Sequence, residues 1–367
     1  MSQVTAAPHI DRPPNANASP GVARATRAEE FIYLFFVLWA MIGLCLDGWA
    51  HRYQPELESF FTPWHAVFYT GFIGGTSWVA YMVIRRRPQA QSLRTSVPSG
   101  YELAIIGLAM FAVGGVGDGF WHTIFGVETG IDALLSPTHL LLLTGMLAGA
   151  TAPVRAAWRN AANPIIGNSL GSFLPVALAI AVATTGVAFF FLYANGFNNW
   201  PMQYDYRDDA LATAGILSTL ASTVILIGPT MLLLRRWQPP FGSFTIIYGT
   251  VGVFMAGLDA YEYWWQMLAP LVGGIVADVI VRGRQSGSPS APQPLRNRAW
   301  LVGLLVPLAM WSVSTLAIHL AWTIRWPPEL WIGQIFMAML TGFSLALMSH
   351  PPANPVNPVN PAESATL

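Results

Sequence analysis

One short segment of the sequence combines a carboxylate with two imidazoles at a spacing that suits metal coordination. Asp47 and His51 stand four residues apart, and His65 follows after a polar stretch. Residues four apart in a helix lie one turn apart on the same face, so Asp47 and His51 can reach a common point. This donor set suits Cu(II), Zn(II) or, with open positions, non-haem Fe(II). The segment therefore predicts a transition-metal site.

A second segment repeats the same order of residues, at Asp118, His122 and His139. In both segments the last histidine follows a hydroxyl residue and a proline, with the hydroxyl residues at Thr62 and Ser136. Threonine or serine before proline is typical of an N-cap and the first residue of a helix. We therefore expect each last histidine to lie in the first turn of a returning helix, opposite the Asp/His pair.

Hydrogen bonding within a helical hairpin is the simpler interpretation of a single Asp/His/His set. Repetition favours metal binding, because four of the seven histidines of the chain fall in the two matched sets. Ionisable side chains at membrane depth are also costly and are usually functional. We therefore favour metal binding by at least one set over a purely structural role.

The elements that position these residues are predicted to be membrane helices. The chain has 367 residues, of which 54% are hydrophobic and only 10% are charged. Its apolar runs are about 20 residues long, the length that crosses the hydrocarbon of a bilayer as a helix. The fold class is therefore an all-α, polytopic integral membrane helical bundle with about 10 transmembrane helices arranged as hairpins. The predicted spans are 31–51, 60–84, 101–125, 136–157, 172–195, 210–234, 243–262, 264–281, 299–322 and 329–349.

Arginine placement predicts the orientation of the chain. If the N-terminus is cytoplasmic, 15 of the 18 basic residues, all arginine, fall on the cytoplasmic side, where positive charge is favoured. We therefore expect a multi-pass protein of a bacterial cytoplasmic (inner) membrane, with both termini cytoplasmic and both metal motifs on the periplasmic or external side. The arginines are scattered through loops, so no nucleic-acid partner is expected.

Composition also divides the chain into segments. The divisions are a disordered cytoplasmic N-terminus (1–28), a four-helix membrane unit with both Asp/His/His motifs (29–160), helices five to eight (161–284), a flexible cytoplasmic linker (285–297), helices nine and ten (298–350) and a disordered tail (351–367).

Other polar residues have weaker patterns. Asp259 and Glu262 outline a further hairpin. The two acids could form a cation or proton path, or they could be solvated. His319 fits a hydrogen-bonded helix residue better than a metal ligand. Acidic residues in the two predicted external loops could orient the histidines or serve as extra ligands, although solvation is the simpler interpretation. These loop acids are Glu56, Glu58, Glu128 and Asp132.

The two motifs resemble a known metal-binding region. The stretch DGFWH at 118–122 and the stretch FTPWH at 61–65 resemble the metal-site region of a membrane subunit of particulate methane and ammonia monooxygenases, in which Asp-Gly-x-Trp-His precedes Phe-Thr-Pro-Ser-His. That family has the pattern once, and nothing beyond about residue 150 resembles its subunit. The resemblance implies copper as the metal and monooxygenase-like chemistry. By the same resemblance, the metal ligands are Asp47, His51, His65, Asp118, His122 and His139.

Several functions stay open at this level. The first is a membrane metalloprotein that binds copper, or alternatively zinc or non-haem iron, with monooxygenase-like activity. The second is non-catalytic metal handling, the third is metal transport, and a bis-histidine haem protein is a fourth. Expected partners are membrane lipid and either other membrane subunits or further copies of the chain.

Overall fold

The structure is a computed structural model that describes residues 23–54, 62–126, 130–159, 169–282 and 298–350. Described residues form helices and turns, with no strand among them. The helices are α1 (Arg27–Tyr53), α2 (Pro63–Arg86), α3 (Leu93–Ser96), α4 (Glu102–Phe125), α5 (Asp132–Leu135), α6 (Pro137–Ala150), α7 (Ala152–Trp158), α8 (Leu170–Phe190), α9 (Asp209–Arg236), α10 (Ser243–Gly257), α11 (Leu268–Arg282), α12 (Ala299–Ala321) and α13 (Pro328–Ser349).

The structure confirms the predicted all-helical fold with several helices of membrane-spanning length. Within the described ranges, nine helical segments are long and apolar enough to cross a membrane, with α6 and α7 counted together. Large apolar side chains also point away from the protein, for example Leu320 (77% exposed) and Met348 (79% exposed). Such outward apolar faces need a hydrocarbon solvent. We therefore describe the chain as a multi-pass membrane protein.

The predicted span 243–262 differs from the structure. Helix α10 ends at Gly257, and the turn that follows holds Ala260 and Tyr261 at positive φ values of 52° and 61°. A 15-residue helix is only about 22 Å long, whereas the hydrocarbon core is about 30 Å thick. Helix α10 is therefore shorter than the nine membrane-length segments of the described ranges, and the predicted count of about ten stays a prediction.

Several predicted segments lie wholly or largely outside the described residues. Of the predicted N-terminal segment 1–28, the structure describes only 23–28. There, Thr26 caps α1, so the helix begins at Arg27, slightly before the predicted start. The predicted linker at 285–297 and the predicted tail at 351–367 are outside the described ranges.

Two antiparallel helix pairs carry the motifs. Helix α1 packs against α2, and α4 packs against α6. The second pair approaches closely because Gly107 and Gly145 face each other: a Cβ atom built on Gly107 would lie 2.6 Å from the Gly145 carbonyl oxygen. The two pairs place the ends of α1 and α4 beside the starts of α2 and α6, at one end of the bundle. We call this the motif end.

Helix α8 joins the motif-bearing pairs to the remaining helices. It contacts α1, α6 and α7 of the motif-bearing part and α9 and α10 of the later part. In its most apolar window 83% of the residues are buried, whereas the other membrane-length segments have 28–50%. Beyond α8, the carboxylate of Asp278 accepts hydrogen bonds from the backbone N–H groups of Phe244 and Thr245, so it caps the start of α10. Helices α12 and α13 complete the bundle as a further antiparallel pair.

Candidate metal centre

The first three predicted ligands meet at the motif end. Asp47 and His51 lie on the last turns of α1, and His65 lies in the first turn of α2. Asp47 Oδ2 is 3.7 Å from His51 Nε2 and 3.4 Å from His65 Nε2. We call this group the first triad.

The other three predicted ligands meet in the same way. Asp118 and His122 lie on the last turns of α4, and His139 lies in the first turn of α6. The Asp118 carboxylate is 3.6 Å from His122 Nε2 and 3.1 Å from His139 Nε2. We call this group the second triad. Within each triad one ligand atom per residue lies within 4.8 Å of the other two.

Local helix starts explain why the last histidine of each triad points back toward the preceding helix. The Thr62 hydroxyl accepts a hydrogen bond from the His65 backbone N–H (3.2 Å), and Ser136 does the same for His139 (3.4 Å). A proline occupies the first helical turn in both cases. The predicted N-caps are therefore confirmed, and they fix the histidines in the first turns of α2 and α6.

Hydrogen bonds orient two members of the second triad. The Thr138 hydroxyl donates to Asp118 Oδ1 (3.0 Å), and His122 Nδ1 lies 3.2 Å from the Gly126 carbonyl oxygen. A carbonyl oxygen can only accept, so this contact requires the hydrogen on Nδ1 of a neutral His122. The lone pair is then on Nε2, the atom that faces Asp118. Such a bond from the far nitrogen is the usual support of a metal-bound histidine.

Gly126 can accept this bond because of its backbone conformation. It ends α4 with φ 82° and ψ 178°, and its own N–H donates to the carbonyl of His122 (3.0 Å). Side-chain-bearing residues rarely adopt that conformation. The glycine therefore directs its carbonyl back to the imidazole one turn earlier.

The first triad has fewer such supports, one of which is the contact of the Thr62 hydroxyl with His65 Nδ1 (3.3 Å). Asp47 Oδ1 and His51 Nδ1 are both buried, and neither has a hydrogen-bond partner among the described residues. Buried polar atoms without a partner are uncommon and call for an explanation. A bound cation would satisfy the Asp47 carboxylate.

The two triads fit a transition metal. Ligand atoms that surround one ion at about 2.0–2.2 Å lie roughly 3.4 Å from each other in a tetrahedral site. The carboxylate-to-imidazole distances of 3.1–3.7 Å lie close to that value. Two nitrogen donors and one oxygen donor leave at least one coordination position for water or another ligand.

Both triads line one cavity of about 510 Å³. Five of the six triad residues border it, and Tyr69 of α2 lies on the wall between the triads. The Tyr69 ring is tilted against that of His65, with centroids 6.1 Å apart, and a Cβ atom built on Gly115 would lie 3.0 Å from its hydroxyl oxygen. The remaining wall is mostly apolar. It includes Leu44, Phe68, Phe111, Leu134, Leu142, Leu143, Met146, Phe189, Phe190 and Leu258.

An ion pair connects the cavity rim to the later helices. Arg52, next to His51 on α1, also borders the cavity, and its Nη1 lies 2.6 Å from Asp259 Oδ1. Asn198 donates a hydrogen bond to the other oxygen of Asp259 (3.1 Å). Burial raises the pKa of Asp259, and Arg52 and Asn198 act against that rise. The side chain is thus a buried partner of Arg52, which argues against the interpretation of Asp259 as a solvated acid.

The other sequence candidates lie apart from the triads or cannot be placed. Asp132 is exposed and accepts a hydrogen bond from the Gly130 backbone N–H, so it orders its own loop. His319 is exposed near the end of α12 and belongs to neither triad. The loop acids Glu56, Glu58 and Glu128 lie outside the described residues.

Sequence reasoning missed four contributors to the site: Tyr69, Gly126, Thr138 and Arg52. Two of them have a recognisable signal. Gly126 stands four residues after His122, and Tyr69 stands four residues after His65, on the same helix face. Helical spacing could therefore have identified both.

Comparisons of the chain with protein-family models, with curated proteins and with solved structures found no match.

Proposed function

We propose that the chain is an integral membrane metalloprotein that binds copper, with zinc and non-haem iron as alternatives, through the two triads. One observation carries this proposal: two carboxylate-and-imidazole groups converge at the same end of the bundle, each with distances that suit an ion. The preference for copper rests on the resemblance of the motifs to the metal-site region of particulate methane and ammonia monooxygenases.

The motif end is proposed to face the outside of a cytoplasmic membrane. Arginines at the opposite ends of the helices support this orientation, because positive charge favours the cytoplasmic side. Arg85 and Arg86 end α2, and Arg235 and Arg236 end α9. Arg236 donates to the carbonyl of Trp158, at the end of α7, so these helix ends lie together.

Monooxygenase-like catalysis is the further part of the proposal. It is supported by the resemblance and by the cavity, which gives a reactant access to both triads. An oxygenase needs an open metal position, and the three protein ligands of each triad leave one. The chain's own residues would hold the ions and shape the cavity, and further membrane subunits or copies of the chain would be its partners.

Non-catalytic metal handling is the second candidate. The first triad supports it, because its Asp47 and His51 side chains are 15% and 21% exposed, so an ion could exchange there. Transport has less support. In the described part of the chain the converging ligand groups are the two triads, both at the motif end, and no third group continues a path across the bundle.

Metal analysis of purified protein tests the proposal. We expect the wild type to hold up to two ions per chain, and we expect His51→Ala and His122→Ala each to lower that number. His319→Ala is the matched control, since this histidine is exposed and outside the triads. Equal metal content in all four proteins would contradict metal binding by the triads.

Spectroscopy of the same samples separates the metals and the functions. Cu(II) gives a paramagnetic signal, Zn(II) is silent, and haem gives strong visible absorption. Proteoliposomes loaded with a metal-sensitive dye then separate transport from fixed binding. Dye response in wild type that is lost in both histidine variants would replace the fixed-site proposal with transport.

A further inference from the structure

The cavity next to the triads is much larger than a metal site requires. At about 510 Å³ it equals roughly 17 water molecules, at about 30 Å³ for each. Two ions and the few waters that complete their coordination would occupy a small part of this space. Pockets of roughly 300–1,000 Å³ are typical of sites for organic ligands.

The cavity also has a direction. Its polar residues are five of the six triad residues, Tyr69 and Arg52, all at the motif end. Phe111 stands seven residues before Asp118 on α4, and Met146 stands seven residues after His139 on α6. Seven residues are about two helical turns, or roughly 10 Å. Apolar side chains therefore extend the cavity about 10 Å into the bundle, beyond the triads.

Water is a poor occupant of the deep part of this cavity. The walls there are formed by Phe111 and Met146, and Leu142 lies one turn closer to the triads. Hydrocarbon and aromatic walls give water no hydrogen-bond partners, and apolar cavities favour apolar ligands. The triad end, in contrast, offers an open metal position that suits an oxygen donor.

From this arrangement we propose that the cavity binds an amphiphile with an oxygen-bearing head group at the triads and an alkyl chain against Phe111 and Met146. The proposal rests on the metalloprotein function for the head group, whereas the apolar depth of the cavity does not depend on metal. The charge of the cavity allows a neutral head group, because Arg52 is already paired with Asp259 and does not require an anionic ligand.

Photolabelling of the full chain in lipid nanodiscs tests the proposal. The probes are decanol and decanoate, each with a diazirine near the end of the chain, and a control probe in which a methyl group replaces the oxygen head. Peptide mass spectrometry then compares labelling of Phe111 and Met146 with that of the exposed residues Ile124 and Leu140. The metal content of each sample is measured in parallel.

We expect at least one oxygen-headed probe to label Phe111 or Met146 about tenfold more than the control probe, because a polar head bound at the triads adds one charge-assisted interaction. Excess unlabelled decanol or decanoate should remove that labelling. The two heads distinguish a neutral ligand from an anionic one. Equal labelling by the control probe, or labelling confined to Ile124 and Leu140, would overturn the proposal.

A pair of variants on α5 adds a matched control. Leu134 borders the cavity, whereas its neighbour Leu135 is 45% exposed and does not. Leu134→Trp should obstruct the cavity beside the triads and lower labelling of Phe111 and Met146 about tenfold, which is the whole signal that depends on the head group. Leu135→Trp should leave that labelling unchanged. Equal labelling of both variants contradicts the proposal.

If Leu134→Trp fails to fold, competition by unlabelled probe in the wild type decides. Deep labelling that persists in protein without metal would separate a failed metal function from a failed cavity proposal.

Discussion

The two triads use the same residue types and the same helix ends, yet their surroundings differ. Asp118 and His122 have side chains only 2% and 4% exposed, whereas Asp47 and His51 are 15% and 21% exposed. The third ligands differ in the opposite sense, with His139 at 19% and His65 at 10%. The second triad has hydrogen bonds from Thr138 to its carboxylate and from an imidazole to Gly126. The first triad keeps a carboxylate oxygen and an imidazole nitrogen without such partners among the described residues.

This difference separates a fixed site from an adaptable one. Ligands that are held in place before the ion arrives lose less conformational freedom on binding, and supporting hydrogen bonds typically raise metal affinity about 10–100-fold. Lower solvent exposure also strengthens the attraction between a carboxylate and a cation. We therefore expect the second triad to bind its ion more tightly, and the first triad to exchange its ion more readily.

Removing the carboxylate charge from each triad is the strongest test of this comparison. Asp118→Asn should weaken the tighter binding step at least about 100-fold, because a buried ligand loses its charge while its shape is kept. Asp47→Asn should weaken the other step, and by a smaller factor of about 10, because solvent already screens the more exposed carboxylate. Competitive titration against a coloured chelator measures both steps.

Asp132→Asn is the control for this titration, since Asp132 is exposed and belongs to neither triad. It should leave both binding steps unchanged. If Asp47→Asn removed the tighter step instead, the assignment of the fixed site to the second triad would be wrong.

The backbone of Gly126 gives a test that leaves every ligand in place. Gly126→Ala adds a methyl group that meets no described residue within 4 Å, but φ 82° with ψ 178° costs roughly 1–3 kcal/mol in strain. Relief of that strain would turn the carbonyl away from His122. We expect metal affinity at the second triad to fall about 10–100-fold, with the first triad unaffected.

Gly228→Ala is the matched control, because a Cβ atom at this helical position also meets none of the residues in the described ranges within 4 Å and its φ is ordinary. Titration and thermal unfolding of both variants separate a local effect from general destabilisation. An unchanged affinity in Gly126→Ala would show that the bond to His122 does not support the site.

Much of the fold and of the candidate site could be predicted because the signals were local. Apolar runs predict membrane helices by length alone, and the caps at Thr62 and Ser136 predict where helices begin. A four-residue spacing places Asp47 and His51 on one face regardless of tertiary structure. His65, the third ligand, then comes close to Asp47 and His51 because α1 and α2 form an antiparallel pair.

The parts that could not be predicted depend on contacts between distant segments or on backbone geometry. The ion pair of Arg52 with Asp259 joins two segments far apart in the chain, and neither residue carries a local sign of the other. Helix α10 ends early because Ala260 and Tyr261 adopt positive φ values, which their residue types do not favour. The cavity needs walls from α8, whose sequence shows only a continuous apolar run.

The smallest expected effect concerns the hydroxyl group that orients the second carboxylate. Thr138→Val keeps the shape of the side chain and removes the hydrogen bond to Asp118 Oδ1. A bond to a charged group contributes about 1.5–3 kcal/mol, and a bound ion offsets part of that loss, so we expect about tenfold weaker binding at the second triad. Competitive titration measures it.

Thr144→Val on the same helix is the matched control, because that hydroxyl donates to the carbonyl of Leu140 and lies away from both triads. Its affinity for metal should equal that of the wild type. If Thr138→Val also binds normally, orientation by hydrogen bonds contributes little, and the lower exposure of Asp118 must account for any difference in affinity between the two triads. If binding weakens only in Thr138→Val, the hydrogen bond that orients the Asp118 carboxylate contributes to the affinity of the second triad.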